Sequence, residues 1–401
     1  MTSIHTRLTE FNKTRLQGML PLKYQAMAID VFCFYRGTCH LFYEDLAGTK
    51  AFPQSPPVWL CGDLHIENFG SFKGDDREEY FDLNDFDEAI LGPAAWEVAR
   101  MVTSIFVAFE SRGIKKPEAL PVVKVFLDTY RRTLISGKAK SLDPRTAVGV
   151  VKTFLTTVKK RKQKELLKRR TFKKNGKLML LVDAQRHFDI EESLKKDLVD
   201  FIEDTITRIE CIKGNYKVLD CIFRIAGTGS IGVKRYLFLL KSQDEKKKYL
   251  LLGMKEAKPS ALKPYVELEQ PTWLSEAVRI TAIQERMQNV SPALLSPVIF
   301  KGEPYVIKQM QPSEDKINFD NLDGRYAEIE RVAHDMAVLT ASAHLRSGGR
   351  EGSAITDELI AFAEDSQWPN ALLNYADKYT TQVKKDYKAF MLDYKKGIYD
   401  K

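Results

Sequence analysis

The sequence predicts a mixed α+β chain, with a largely helical part carrying a carboxylate-rich loop and a β-rich part carrying a glycine-rich turn. Three observations predict it. Residues 58–90 read as short apolar strands around an Asp/Asn loop, residues 221–257 read as a three-strand meander with glycines at one tip, and much of the remainder spaces its apolar residues as helices do.

Taken in order, residues 1–50 read as helical, with Phe32, Tyr35, Cys39 and Phe42 forming a stripe at spacings of three and four. Val58 to Cys61 enter the Asp/Asn loop as a strand and Phe69 to Phe72 leave it. Lys73-Gly74-Asp75-Asp76 then turns the chain back into Tyr80 to Leu83, so a β-hairpin holds the loop. Gly92-Pro93 precedes a helix from Ala94 to about Glu110, whose Trp96, Val98, Met101 and Ile105 are core candidates. Residues 116–212 read as mostly helical and charged. Val233 to Leu240 and Tyr249 to Met254 read as strands joined by the polar turn Lys241 to Lys248, and Pro297 to Ile299 with Tyr305 to Lys308 reads as a further strand pair. Thr272 to Asn289 and Arg325 to Arg346 are helix-like, the second stopped by Ser347-Gly348-Gly349, and the rest to Lys401 is helical. The implied division is a helical segment 1–212 with the Asp/Asn loop, a β-rich segment 213–311, and C-terminal helices 312–401 that complete the helical part.

The chemistry concentrates in residues 61–89, CGDLHIENFGSFKGDDREEYFDLNDFDEA. Asp63 and Asn68 stand at the spacing D-x-x-x-x-N, and the strand after the turn ends in Asp82, Asp85 and Asp87. Moving a phosphoryl group needs a carboxylate to orient or deprotonate the attacking hydroxyl, and hard oxygen ligands for the Mg²⁺ that neutralises the phosphates. Asp63 suits the first role; Asn68 and Asp85 suit the second, with Asp82 the alternative ligand. Asp75 and Asp76 read as turn residues, whose side chains bond their own backbone. Asp63 and Asp85 lie against apolar strands, where an unpaired charge is expensive. His65, inside the loop, either contacts phosphate or holds the loop's shape, and holding is favoured because Asp63 already supplies a base.

Residues 221–257, CIFRIAGTGSIGVKRYLFLLKSQDEKKKYLLLGMKEA, contain Gly227-x-Gly229-x-x-Gly232 with Ser230 inside it. A dinucleotide-binding turn is followed by a helix, whereas here a strand follows. That is the arrangement of the loop covering ATP phosphates in protein kinases, and Lys255 ends the third strand where a phosphate-binding lysine belongs.

GDLHIENFG followed by FDLNDFDEAILGPAAWEVAR resembles the catalytic and metal-binding segments of aminoglycoside-phosphotransferase-like kinases, whose pattern is G-D-L-H-x-x-N, then I-D-x-x-x-A, then G-D-P-x-x-D-L-A. More closely, the chain resembles the bacterial family called domain of unknown function 2252, through FCFYRG, the Asp/Asn loop, GTGSIG, MKEAKPS, YVIKQM and TASAHLRSG. The resemblance implies a bilobal kinase-like fold with a β-meander nucleotide lobe and a helical catalytic lobe. It also implies Asp63 as catalytic Asp, Asn68 and Asp85 as Mg²⁺ ligands, and Lys255 with Gly227, Gly229, Ser230 and Gly232 around ATP. The motif order departs from ordinary kinases: the glycines follow the catalytic loop by about 160 residues, from Asn68 to Gly227, so the implied fold is circularly permuted. The glutamate that should pair with Lys255 is Glu276 or Glu285.

The chain has 401 residues, 44% hydrophobic and 29% charged, enough for two lobes around a substantial core. With no signal-peptide pattern at its start, no apolar run near 18 residues, and five unevenly spaced cysteines, it reads as soluble, cytoplasmic and reduced. Net charge is +8, and much of the excess sits in KKRKQKELLKRRTFKKNGK, residues 159–177. That run reads as solvated surface rather than a polyanion patch, because no base-stacking aromatics are interleaved, and nucleic acid is not an expected partner. Glu97 and Arg100 either brace the catalytic loop or form a surface ion pair, and His344 reads as a core histidine. The expected function is ATP- and Mg²⁺-dependent phosphoryl transfer to a hydroxyl of a small molecule or protein. The alternatives are a catalytically silent nucleotide-binding module or a nucleotidyl transferase using the same site.

Overall fold

Four short helices open the chain in the computed structural model, which describes residues 2–50, 52–209, 214–245 and 248–399. They are α1 (Ile4–Asn12), α2 (Leu20–Met27), α3 (Val31–Gly37) and α4 (Cys39–Ala47). Ser3 caps α1 by accepting from the Thr6 amide, and Asp30 caps α3 by accepting from the Cys33 amide; each satisfies a donor that a first helical turn leaves free. Two antiparallel ladders follow, β1 (Pro57–Leu60), β2 (Phe69–Lys73), β3 (Glu79–Leu83) and β4 (Ile90–Pro93), in which β2 pairs with β3 and β1 with β4. The expected hairpin is present, and the outer ladder closes its base.

Helix α5 (Ala94–Ser111) is buried around nearly its whole circumference, with Glu97 and Arg100 among its enclosed side chains. Next come α6 (Lys116–Ile135), α7 (Gly149–Lys159), α8 (Gln163–Arg170), the hairpin β5 (Thr171–Lys174) and β6 (Lys177–Leu180), the short β7 (His187–Phe188), and α9 (Glu192–Arg208). The expectation of helix through 116–212 therefore fails at 171–188. Asn175 and Gly176 both take positive φ and make a two-residue hairpin turn, a signal that the surrounding lysines obscure. The second half holds β8 (Tyr216–Arg224), β9 (Arg235–Ser242), β10 (Tyr249–Glu256), α10 (Glu276–Met287), β11 (Ser296–Phe300), β12 (Glu303–Met310), α11 (Tyr326–Ser347), α12 (Thr356–Glu364) and α13 (Trp368–Lys395).

One six-stranded antiparallel sheet runs in the order β11-β12-β10-β9-β8-β7. Its first face buries Phe238, Leu240, Leu252, Met254 and Ile307 against Leu198, Ile202 and Ile206 of α9. Its second buries Ile222, Leu237, Leu239, Leu251 and Met310 beneath Leu166 of α8 and Leu180 of β6. Because both faces are covered, β9 and β10 read as continuous apolar runs rather than alternating ones. Helix α9, which the sequence division groups with the helical segment, shares its core with the sheet. Helices α5, α6, α11 and α13 form the main core, and α10 places Ala277, Ile280, Ile283 and Met287 into it while also contacting β11 and β12. Among the described residues no helix is long and apolar enough to cross a membrane. Cysteines 33, 39, 61 and 221 are free thiols, and Cys211 lies outside the described residues.

Candidate functional site

Gly62 sets the geometry of the Asp/Asn loop. It turns at φ +87° directly against the Glu88 carbonyl, leaving no room for a Cβ. Its amide donates to Glu97 Oε1 at 2.9 Å and its carbonyl accepts from the Tyr43 hydroxyl. Glu97 is buried, and its other oxygen meets His344 Nε2 at 2.9 Å, while His344 Nδ1 meets the Tyr130 hydroxyl at 2.8 Å. The loop is thereby tied into α5, α6 and α11 rather than left on the surface.

Asp63 receives two bonds on one oxygen: Arg100 Nε and Nη2 reach Oδ1 at 2.8 and 2.6 Å. Arg100 is fully buried, lies 4.1 Å from the Tyr35 ring centroid and also donates to the Tyr35 carbonyl. A planar guanidinium held this way fixes the carboxylate's orientation, and Oδ2 is the oxygen that faces Gly229. Asn68 ties the two acidic segments together. Its Oδ1 accepts from the Asp85 amide at 2.8 Å, and its Nδ2 donates to the Asp63 and Asp85 carbonyls at 3.0 and 3.2 Å. His65 Nδ1 accepts from the Glu67 amide at 3.1 Å. Burial, helped by Arg36, Arg100 and Lys316, pushes its pKa well below the usual imidazole value, so it stands neutral and scaffolds the loop.

Asp85 and Asp87 converge on Lys255, whose Nζ lies 3.6 Å from Asp85 Oδ2 and forms an ion pair with Asp87. Burial raises both carboxyls. For Asp85, Lys255, the Asp87 amide, Lys308 and Arg235 outweigh burial and hold it at about 2; for Asp87, the Asp85 charge adds to burial and the result is raised. The cations come from one sheet face. Residues of the leucine-rich second face give way, toward this end, to Arg224, Arg235, Lys255 and Lys308, with Gly253 opposite Lys308 contributing no side chain. A cavity of about 190 Å³ results, lined by these groups with Asp85 and Asp87. The same two aspartates also line a larger cavity of about 470 Å³, shared with Asp63, His65 and Gly227 to Ser230. Burial raises Glu88 in that wall to about 7.

The glycine turn lies over Asp63, and it is pinned rather than a free tip. Buried Lys23 donates to the Gly229 carbonyl at 3.0 Å, Arg15 Nη1 to the Ile231 carbonyl at 2.9 Å, and the Leu16 amide to the Gly232 carbonyl at 2.8 Å. A Cβ on Gly229 would come within 3.1 Å of the Arg36 carbonyl, so this approach favours glycine.

Asp63, His65, Asp85, Gly227, Gly229, Ser230 and Lys255 are thus brought to one cleft. Gly232 and Asn68 line neither cavity, and Glu276, Glu285 and Asp82 do not join the cleft. Glu276 is engaged by Arg279, which donates to the Asp87, Ala89 and Lys258 carbonyls, so α10 supports the acidic segment through Arg279 and gives Lys255 no glutamate. Exposed Glu285 does not reach it either. Asp82 points away from both cavities, bonds the Leu83 amide and is lifted by burial to about 6 against the pull of Arg346. Among the described residues no three His, Cys, Asp or Glu side chains form a ready-made metal centre. Two carboxylates facing a row of cations instead suit a divalent ion completed by phosphate oxygens, the usual way Mg²⁺ is held.

Asp82 carries a stability prediction. Its folded carboxyl at about 6 lies above the ordinary value, so the stability it permits is fully present below about pH 4 and falls as pH rises through 6, by about 3 kcal/mol. Asp82→Asn should flatten the urea-midpoint profile across that window and raise the midpoint at pH 7.

Arg235, Lys308 and Lys23 were not singled out in the sequence, and Asp87 was named there without a role. Asp87 differs in no local way from Asp85, and the cations are single charges in strands and a helix whose common direction appears only on pairing. Together these features define a mixed α+β protein with a carboxylate- and lysine-lined cleft between sheet and helical core. The chain belongs to the family described as "Uncharacterized protein conserved in bacteria (DUF2252)", whose profile matches residues 15–393. No curated protein and no solved structure matches it.

Proposed function

We propose that this protein is an ATP- and Mg²⁺-dependent phosphotransferase with a permuted, bilobal kinase-like arrangement, acting on a hydroxyl-bearing acceptor. The observation carrying the proposal is the convergence of three distant segments: the Asp63 loop, the Asp85/Asp87 segment and the glycine turn with Lys255. The order within the second half supports it, since glycine turn, following strand, third-strand lysine and helix succeed one another as they do in the nucleotide lobe of kinases.

In this reading Arg235, Lys255 and Lys308 bind the triphosphate, and Asp85 and Asp87 hold Mg²⁺, which neutralises phosphate charge when bound. Asp63, oriented by Arg100, accepts the acceptor's hydroxyl proton as that oxygen bonds to the terminal phosphorus and the bond to the departing ADP breaks. The larger cavity would hold the acceptor, and its wall offers His40, which is buried, stacked on Phe11 at 3.7 Å and, among the described residues, without a hydrogen-bond partner on either ring nitrogen.

The test is incubation with cell metabolite extract and ATP labelled separately at the α and γ phosphorus. Transfer of the γ label supports the proposal, transfer of the α label indicates nucleotidyl transfer, and transfer of neither leaves the silent module. Lys255→Ala is expected to weaken Mg-ATP binding about tenfold or more, the loss of one charge-assisted contact, without unfolding. Calorimetry checks it, and absence of Mg-ATP binding to the wild type would sink the nucleotide reading.

A further inference from the structure

The basic run 159–177 is not uniformly solvated. Lys159 pairs with Glu78 at the surface, but Arg161, Arg169 and Arg170 turn toward Arg224 at the end of β8. Together with Glu314 and Asp315, which follow β12, they line a cavity of about 390 Å³. Four guanidinium groups face two carboxylates there. Arg161 is paired with Asp315, and Arg170 Nη1 meets His187 Nε2 at 3.1 Å, an imidazole whose Nδ1 is held by Asp183. Among the described residues neither Arg169 nor Arg224 makes a salt bridge.

Clustered guanidinium groups repel one another, and the repulsion grows as water is removed. Burial and the neighbouring Arg235, Arg170 and Arg186 push Arg224 down to about 9, with Glu314 opposing. Burial with Arg169 and Arg186 lowers Arg170 as well. An anion between them would relieve this.

We infer that this arginine cavity is a second binding site, for a small molecule bearing two or more phosphate groups. Guanidinium forks match phosphate oxygens bidentately, and the volume suits a small ligand rather than a polymer. Among the described residues no aromatic side chain lines the cavity, which disfavours stacked nucleic-acid bases. Arg224, Met310 and Glu314 are shared with the cavity beside Lys255, so a ligand here touches the wall of the proposed nucleotide cleft and is placed to alter its affinity. The inference does not depend on phosphotransfer, since it concerns binding alone.

The probe is pyrophosphate, titrated calorimetrically into the full chain at low and at higher salt. Saturable binding that weakens with salt is expected, with Arg169→Ala/Arg170→Ala raising Kd about tenfold or more while Mg-ATP affinity changes less than about twofold. Arg169 is exposed, so Arg169→Ala alone tests the site if the double variant fails to fold, and a rise of about threefold or more is expected from it. Three results would overturn the second site: no pyrophosphate binding, binding indifferent to the arginine substitutions, or an equal loss of Mg-ATP affinity in the double variant. The last would assign these arginines to the nucleotide site itself, whether or not phosphoryl transfer occurs.

Discussion

Asp63→Asn is expected to lower the rate of phosphoryl transfer about 10²–10⁴-fold while leaving Mg-ATP affinity nearly unchanged. The amide keeps an oxygen where Arg100 Nε and Nη2 now reach Oδ1, so the loop geometry and the ring contact with Tyr35 persist. What disappears is the anionic oxygen that takes the acceptor's proton. Asp63→Ala is the less informative change, because it strands the fully buried Arg100 without a counter-charge, and breaking such a pair costs about 3–5 kcal/mol. Single-turnover measurements with labelled ATP, alongside thermal unfolding, separate loss of chemistry from loss of fold. An Asn variant that turns over at the wild-type rate would make Asp63 a structural residue and remove it from the role of base.

The largest stability effect is expected at Gly62. An L-residue at φ +87° is strained by about 1–2 kcal/mol, and the new Cβ must also displace the Glu88 carbonyl. That carbonyl cannot retreat freely. The Ser260 hydroxyl donates to it at 2.8 Å, and Arg279 grips the carbonyls of Asp87 and Ala89 on either side. Gly62→Ala should therefore cost about 4 kcal/mol or more, seen as a lower urea midpoint or insoluble expression. Its effect should exceed that of Lys255→Ala, which removes a partly exposed charge. A soluble Gly62→Ala protein with a wild-type midpoint would show that the 85–89 segment moves more easily than its hydrogen bonds imply.

Much of the site was legible in local pattern. The spacing of Asp63 and Asn68, the apolar strands flanking them, and the position of Lys255 at the end of a strand after a glycine turn are all features of contiguous residues. Asn68 was legible as a site residue but not in its manner of acting, since its amide bridges the Asp63 and Asp85 backbones. The choice between Asp82 and Asp85 could not be read from FDLNDFDEA, where both stand beside a phenylalanine. Pairing of β2 with β3 sets Asp82 opposite Gly70 inside the ladder while the chain leaves the strand after Leu83, so that Asp85 and not Asp82 lines the cavities. The carboxylates beside Lys255 come from the loop, as Asp85 and Asp87, and not from a helix glutamate.

By itself the sequence determined the hairpin around the Asp/Asn loop, the glycine-tipped meander and most of the helices, because periodicity and turn residues act over a few neighbouring positions. Only the tertiary structure decided that Arg100 orients Asp63, that Lys23 and Arg15 pin the glycine turn, that α9 covers the sheet, and that Arg161, Arg169 and Arg170 meet Arg224. These contacts join residues 37 to 216 positions apart or elements on different segments, and no local preference specifies them. They arise when burying the apolar faces of helix and sheet fixes which charged side chains are left to face one another.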